Sequence, residues 1–269
     1  MICFPNAKIN LGLNIVEKRT DGFHNLETIF LPIGLKDALE CVESNKLRFE
    51  NSGITIDGNP LENLCVKAWR LLNAKYNIPP VHIHLHKVIP FGAGLGGGSA
   101  DAAFMLKLLN EYFDLNISQD EQIGFALKLG SDCPIFINNN ECYGTGRGEI
   151  LEPVSLKNLK GFYFILINPG IHIPTKEAFA HIKPKPTDYD LRESIQKPIS
   201  EWQNYIFNDF EAGIFPNHPS IEALKQTLYS NGAIYASMSG SGSSVYGIFN
   251  HKIESEKIFP DYFIWEETF

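Results

Sequence analysis

The sequence predicts an α+β protein, and four stretches carry that prediction. Val81-His-Ile-His-Leu-His-Lys-Val88 alternates apolar and polar residues as a strand does. It runs into a glycine loop, and Ser99 to Phe113 then follows as a helix, rich in Ala and Leu with no Gly or Pro. Near the N-terminus, Lys8 to Leu13 alternates in the same way, with Lys8, Asn10 and Gly12 on one face and Ile9, Leu11 and Leu13 on the other, the pattern of a half-buried strand. In the second half, Gly161-Phe-Tyr-Phe-Ile-Leu-Ile167 is apolar throughout, and Tyr235 to Phe249 reads as strand, glycine loop, strand.

The remaining elements fall between these. Residues 29–58 form short alternating segments with turns at Ser44-Asn45, Asn51-Ser52-Gly53 and Asp57-Gly58, which predicts hairpin strands. Asn63 to Tyr76 is a helix with Val66, Trp69, Leu72 and Tyr76 on one face, closed by Asn77-Ile-Pro-Pro80. Ser118-Gln-Asp-Glu121 is a capping box that opens a helix through Leu129, and Gly130 ends it. Gly144-Thr-Gly-Arg-Gly-Glu149 is a glycine-rich turn. Residues 183–200, with Pro184, Pro186 and Pro198, read as a surface loop, and Ile221 to Tyr229 as a helix ended by Asn231-Gly232.

Composition narrows the function classes. A chain of 269 residues, 44% hydrophobic and 20% charged, has the makings of a sizeable core in one large or two modest domains. The net charge of −8 argues against a general nucleic-acid binder. No basic segment followed by an apolar core opens the chain, and no run of 18 apolar residues occurs, so no signal peptide or membrane span is expected. The five cysteines show no C-x-x-C spacing, which points to reduced thiols and a cytoplasmic protein.

The loop is where chemistry is expected. Gly92, Gly94, Gly96, Gly97 and Gly98 lie within seven positions between a strand and a helix. Backbone N–H groups and a helix N-terminus meet there, a ready site for phosphate. Gly97-Gly98-Ser99 lacks the lysine of the Gly-Lys-Ser/Thr loop, and Pro90 between strand and loop does not suit a dinucleotide fold. His82, His84 and His86 on one face raise the possibility of zinc, but no matching carboxylate stands nearby in sequence, and an exposed or layered sheet face is the expectation.

Three strings together resemble the GHMP kinases (galactokinase, homoserine, mevalonate and phosphomevalonate kinases). Pro5-x-Ala7-Lys8-x-Asn10-Leu11 is similar to the first motif of that family, Pro90-x-x-x-Gly94-Leu95-x-x-x-Ser99 to the second, and Met238-Ser-Gly-Ser-Gly242 with its flanks to the third. Further strings resemble one branch, the diphosphocytidyl-methylerythritol kinases: Arg19-x-Asp-Gly-Phe-His24, Gly130-Ser-Asp-Cys-Pro-Ile-Phe136, Pro169-Gly170 with Pro174-Thr175 and Phe179, and Asn208-Asp-Phe-Glu211. Phe23 stands where tyrosine is usual, and Ala100 where a second serine is common.

The resemblance implies an α+β fold in two halves, about 1–155 and 156–269, with the active site between them. It implies transfer of the γ-phosphoryl of ATP to the 2-hydroxyl of a cytidine-diphosphate-linked methylerythritol, in non-mevalonate isoprenoid synthesis. Pro90, Phe91, Gly92, Ala93, Gly94, Leu95, Gly96, Gly97, Gly98, Ser99 and Ala100 are then expected to hold the ATP phosphates, with Lys87 and Asn63 serving the nucleotide and Ser99 reaching Mg²⁺. Asp132 is the expected general base, and Lys8 the cation that orients it and offsets charge on the transferring group. Asn10, Phe23, His24, Thr175, Phe179, Gly240, Ser241 and Gly242 are expected at the acceptor, with Phe179 stacked on cytosine. Other readings stay open: a GHMP kinase for homoserine or mevalonate, which would not need Phe23, His24 and Phe179 together, or a nucleotide-binding protein without catalysis. The sequence leaves the oligomeric state open.

Overall fold

The computed structural model of the chain describes every residue except Asp57 and His181, and of Thr175 the backbone alone. The strands are β1 (Ile2–Cys3), β2 (Asn6–Lys18), β3 (His24–Lys36), β4 (Ala38–Glu43), β5 (Arg48–Gly53), β6 (Val81–Lys87), β7 (Cys142–Thr145), β8 (Ile150–Pro153), β9 (Tyr163–Asn168), β10 (Tyr235–Met238), β11 (Val245–Phe249) and β12 (Phe263–Thr268). The α-helices are α1 (Leu64–Tyr76), α2 (Gly97–Tyr112), α3 (Gln119–Leu129), α4 (Cys133–Asn138), α5 (Thr175–Ala180), α6 (Leu191–Ser194), α7 (Glu211–Ile214), α8 (Pro219–Ser230) and α9 (Ser255–Ile258). The chain divides into two compact units that interleave in sequence. One comprises residues 1–8, 32–91 and 96–140, the other 9–31, 92–95 and 141–269.

In the first unit the sheet order is β1-β4-β6-β5. Among the described residues, the expected hairpins over 29–58 do not form in this region; of the turn expected at Asp57-Gly58, Asp57 lies outside the described residues. β4 and β5 flank β6 on opposite sides, β4 antiparallel and β5 parallel, in register from Arg48 opposite His82 to Gly53 opposite Lys87. A parallel neighbour needs a crossover, and α1 supplies it between β5 and β6. The apolar row Val81, Ile83 and Leu85 of β6 is fully buried. Its histidine row instead lines up with β5: the Ser52 hydroxyl lies 3.1 Å from His84 Nε2 and 2.9 Å from His86 Nδ1, and Glu50 lies 3.4 Å from His82 Nε2. α1 is capped by the Asn63 side chain, which accepts from the Cys65 N–H, and ended by Asn77 in the left-handed region. α3 is capped by Ser118 and ended at Gly130, as its capping box predicts.

In the second unit β10-β11-β9-β12 form one antiparallel sheet. Its core gathers Ile165, Ile167, Val245 and Phe249 with Ile221, Leu224 and Leu228 of α8 and Phe210. β7 and β8 form an antiparallel hairpin around the glycine-rich turn at 144–149. Residues 183–200 only partly match the expected surface loop. From α6 onward the stretch is packed, with Leu191 and Ile195 buried, because two apolar residues four apart give even one helical turn a face to bury.

β2 departs from its pattern. Alternation predicts one solvated face, yet Asn6 through Leu13 are all buried, Lys8 and Asn10 included. The polar row is buried because each member has a partner, as described below.

Candidate active site

Lys8 is the buried end of an ion pair. Its Nζ lies 3.6 Å from Asp132 Oδ2. Asp132 occupies the N-cap position of α4, where an aspartate normally accepts a backbone N–H of the first turn. Here it makes no such bond: its own backbone is helical (φ −85°, ψ −8°), and Pro134 in that turn has no N–H to give. The carboxylate is thereby left for Lys8 on one side and for solvent on the other. Burial pulls the Lys8 ammonium below the usual lysine range, and the attraction and hydrogen bond of Asp132 oppose that shift. The adjacent Cys133 is no rival nucleophile, because burial pushes its thiol up to about 12, opposed by a hydrogen bond from the Ser99 hydroxyl.

α2 begins beside this pair, two residues earlier than its composition predicts. Gly97 and Gly98 are its first residues, and Gly96 caps it in the left-handed region at φ +69°. No side chain caps the helix, so the first-turn N–H groups are presented by backbone alone. A Cβ on Gly96 would lie 3.1 Å from Lys8 Cε and 3.0 Å from the Phe136 ring, so only glycine lets the helix start come this close to the ion pair. Ser99 is half-buried in the first turn, and Ala100 is fully buried.

Next to the helix start lies a cavity of about 330 Å³, lined among others by Asn63, Leu64, Lys87, Phe91, Gly98 and Asp101. Four residues assigned to the nucleotide by sequence, Asn63, Lys87, Phe91 and Gly98, are thus brought together. Phe91 is 64% exposed at this cavity. The Lys87 ammonium is bound by the buried carboxylates of Asp37 and Asp101. Burial alone would lower this lysine, but the two carboxylates outweigh it and hold it above its usual range. Burial raises the Asp101 carboxyl to about 7, with Lys87 opposing and Asp37 reinforcing. Asp37 also accepts the N–H groups of Val88 and Ile89 at 2.6 and 2.9 Å, fixing the approach to Pro90. Neither aspartate stands out in sequence; the signal available was an acidic residue on the buried face of an Ala/Leu helix, at Asp101.

Within the second unit, Asn10 Nδ2 donates to the Thr28 hydroxyl at 2.9 Å, and Thr28 donates to the Gly12 carbonyl. The Asn10 backbone N–H donates to Ser239 Oγ at 3.3 Å, and Ser239 Oγ donates to the Gly94 carbonyl at 2.9 Å. The middle of the second motif therefore meets the third motif backbone to backbone. A Cβ on Gly94 would collide with the Ser239 carbonyl, and one on Gly240 would lie 3.1 Å from the Gly94 oxygen. Gly92 likewise lies against the His172 ring. Ala93 and Leu95 are buried anchors, as are Gly240 and Gly242, while Ser241 is half-exposed at the tip. The shape of this tip is held by the Asn208-Asp-Phe-Glu211 string. Asn208 Nδ2 donates to the carbonyls of Met238 and Gly240, both at 2.8 Å, and Glu211 accepts from the Met238 N–H at 2.8 Å. Sequence resemblance marks the string; its task as a bracket for the third loop comes from the structure.

The aromatic candidates divide. His24 and Phe179 stack, centroids 4.7 Å apart with planes 16° from parallel, and Phe179 meets Phe210 edge-on at 4.9 Å. Burial, then Lys18, lowers the His24 imidazole. Phe23 is half exposed and carries the Arg147 guanidinium over its ring at 4.7 Å. Thr175 opens α5, and its side chain lies outside the described residues.

The chain matches the model for the GHMP kinases N terminal domain over residues 63–139 and that for GHMP kinases C terminal over residues 191–260. It is 52% identical to a 4-diphosphocytidyl-2-C-methyl-D-erythritol kinase of Parabacteroides distasonis, across 99% of this chain and 98% of that one. A protein of the same name from Chlorobium limicola is 38% identical over 93% and 88% of the two chains. The crystal structure of a 4-(cytidine 5'-diphospho)-2C-methyl-D-erythritol kinase superposes with a TM-score of 0.81 at 28% identity, covering 99% and 98% of the two chains. The Methanococcus jannaschii mevalonate kinase shares the fold, with a TM-score of 0.68 at 17% identity over 99% and 97% of the chains. The chain belongs to the GHMP kinases, within their 4-diphosphocytidyl-2-C-methyl-D-erythritol kinase branch.

Proposed function

We propose that the protein transfers the γ-phosphoryl of ATP to the 2-hydroxyl of 4-diphosphocytidyl-2-C-methyl-D-erythritol, with Asp132 as general base. The observation that carries this reading is the Lys8–Asp132 pair at the uncapped start of α2. Phosphoryl transfer asks mainly for positioning and charge stabilisation. The N–H groups of Gly97, Gly98 and Ser99 bind phosphate oxygens, and the cavity beside Gly98 takes the base of the nucleotide. Asp132 accepts the proton of the acceptor hydroxyl as the new P–O bond forms and the bond to ADP breaks. Lys8 holds that carboxylate in place and offsets charge on the transferring group.

Mg²⁺ fits the donors present. Ser99 offers a hard oxygen ligand in the first turn of α2, and Mg²⁺ characteristically takes one or two protein oxygens and completes its shell with phosphates and water. It would supply charge neutralisation at the β- and γ-phosphates. The relatives' names, together with His24 stacked on Phe179 and the half-exposed ring of Phe23, support a cytidine head on the acceptor. The test is ADP release with 4-diphosphocytidyl-2-C-methyl-D-erythritol, methylerythritol 4-phosphate, homoserine and mevalonate in parallel. The expected result is efficient turnover with the first alone. Equal use of methylerythritol 4-phosphate would remove the cytidine reading, and preference for homoserine or mevalonate would replace it.

A further inference from the structure

Phe23 raises a question of order. It sits just past the Asp21-Gly22 turn, which is tightly closed. Arg19 binds the Asp21 carboxylate with Nε and Nη2 at 2.7–3.1 Å, the Phe23 N–H donates to Asp21 Oδ1 at 3.1 Å, and the Arg19 N–H donates to the Phe23 carbonyl at 2.8 Å. The backbone is fixed, but the ring is 51% exposed and has no polar atom to anchor it. A half-exposed ring on a loop retains rotamer freedom that a ligand must remove on binding.

Arg147 supplies the anchor. Its guanidinium carbon lies 4.7 Å from the Phe23 ring centroid. The arginine is itself oriented. Its Nε is 3.7 Å from Glu149 Oε1, its backbone N–H donates to Glu149 Oε2, and the turn that carries it is tied to β3 by the Leu26 N–H donating to the Gly146 carbonyl at 2.7 Å. Gly146 makes this possible: it is at φ +69°, and a Cβ there would lie 2.8 Å from the Glu149 carboxylate that folds back on the turn. One face of Phe23 is thus covered by a planar cation, while half of the residue's surface stays exposed.

We propose that Arg147 is a positioning residue for substrate recognition: it fixes the Phe23 ring so that its exposed surface meets the pyrimidine base of the acceptor. This rests on the cytidine-linked acceptor of the preceding section. A flat, weakly hydrated guanidinium suits the task where a lysine ammonium does not.

The test is a double-mutant cycle on Arg147→Ala and Phe23→Ala, read as KM and kcat for 4-diphosphocytidyl-2-C-methyl-D-erythritol, with ATP affinity and melting temperature measured alongside. Arg147→Ala is expected to raise KM about 2- to 30-fold, the range of a cation–π contact, with kcat and ATP affinity near wild type. In the Phe23→Ala background the same substitution is expected to change KM less than twofold, and Arg147→Lys to recover only part of the loss in the Phe23 protein. An equal KM penalty in both backgrounds would mean that Arg147 touches the substrate itself, and an unchanged KM in Arg147→Ala would mean that it has no part in binding; either overturns the proposal. Wild-type enzyme that used methylerythritol 4-phosphate as well as the full acceptor would instead overturn the cytidine reading, and the proposal with it.

Discussion

Lys8 Nζ and Asp132 Oδ2 lie 3.6 Å apart with opposite exposure: the lysine side chain is 4% accessible and the aspartate 40%. The pair is therefore neither a surface salt bridge nor a fully buried one. The cation has lost its water and depends on the carboxylate, while the carboxylate keeps an open side for a reactant. Burying a lysine against a partly solvated carboxylate costs stability.

Lys8→Met is expected to separate these two effects. The methionine fills the space without a charge, and Asp132 remains solvated. We expect stability unchanged or raised by about 1–3 kcal/mol, with kcat reduced at least ~100-fold. The pH dependence has a definite sign. Burial lowers the folded-state pKa of Lys8, so between that value and the ordinary lysine value the unfolded chain binds more protons and stability rises with pH. The stability gap between Lys8→Met and wild type is fullest below the folded pKa and closes as pH rises through the window. Urea unfolding of both proteins from neutral to alkaline pH measures it; a gap that widens with pH contradicts the assignment.

Gly98→Ala probes the proposed phosphate site without breaking the fold. At Gly96 a Cβ would press on Lys8 and Phe136, and at Gly97 on Ile89 at 2.9 Å, so substitutions there damage the scaffold as well. At Gly98 the nearest atom, Leu64 Cδ1, is 3.9 Å away, and φ is not positive. Alanine in a helix is favoured over glycine by ~1 kcal/mol, so the variant is expected to melt at or above the wild-type temperature. Its ATP dissociation constant, measured by calorimetry, is expected to rise about tenfold, because the methyl group enters the space where the phosphates meet the backbone. ATP bound as tightly as by wild type would place the phosphates elsewhere.

How far the sequence discloses this arrangement depends on whether a signal is local. Helix ends are local, and Asn63, Asn77, Ser118 and Gly130 terminate helices where their residue types predict. Strand pairing is not. The turn residues between 43 and 58 show where the chain bends, but β5 pairs with β6, whose partners lie 34 residues further along, only once α1 has crossed over. The burial of Lys8 and Asn10 is equally hidden, since alternation reports a polar face and says nothing of whether Asp132 or Thr28 will cover it. Asp37 and Asp101 escape for the same reason: their meaning lies in Lys87, a partner distant in sequence.

Phe179→Ala is expected to separate acceptor recognition from nucleotide binding. The variant loses the His24 stack and the edge contact with Phe210. Aromatic stacking on a base is worth about 1–3 kcal/mol, so kcat/KM for the cytidine-linked acceptor is expected to fall roughly 5- to 150-fold while ATP affinity stays within twofold. Steady-state kinetics against each substrate in turn decides it, and a loss confined to ATP would remove Phe179 from the acceptor site.

The most direct measurement is the turnover of Asp132→Asn at saturating ATP and acceptor. The substitution keeps the shape of the side chain and removes the proton acceptor, at a position whose carboxylate makes no helix-capping bond. The account predicts a fall in kcat of about 10²–10⁴ with ATP affinity near wild type, and a lowered melting temperature because Lys8 loses its counter-ion. A kcat within a few-fold of wild type, in a protein that binds both substrates, would contradict it and show that the hydroxyl loses its proton without Asp132.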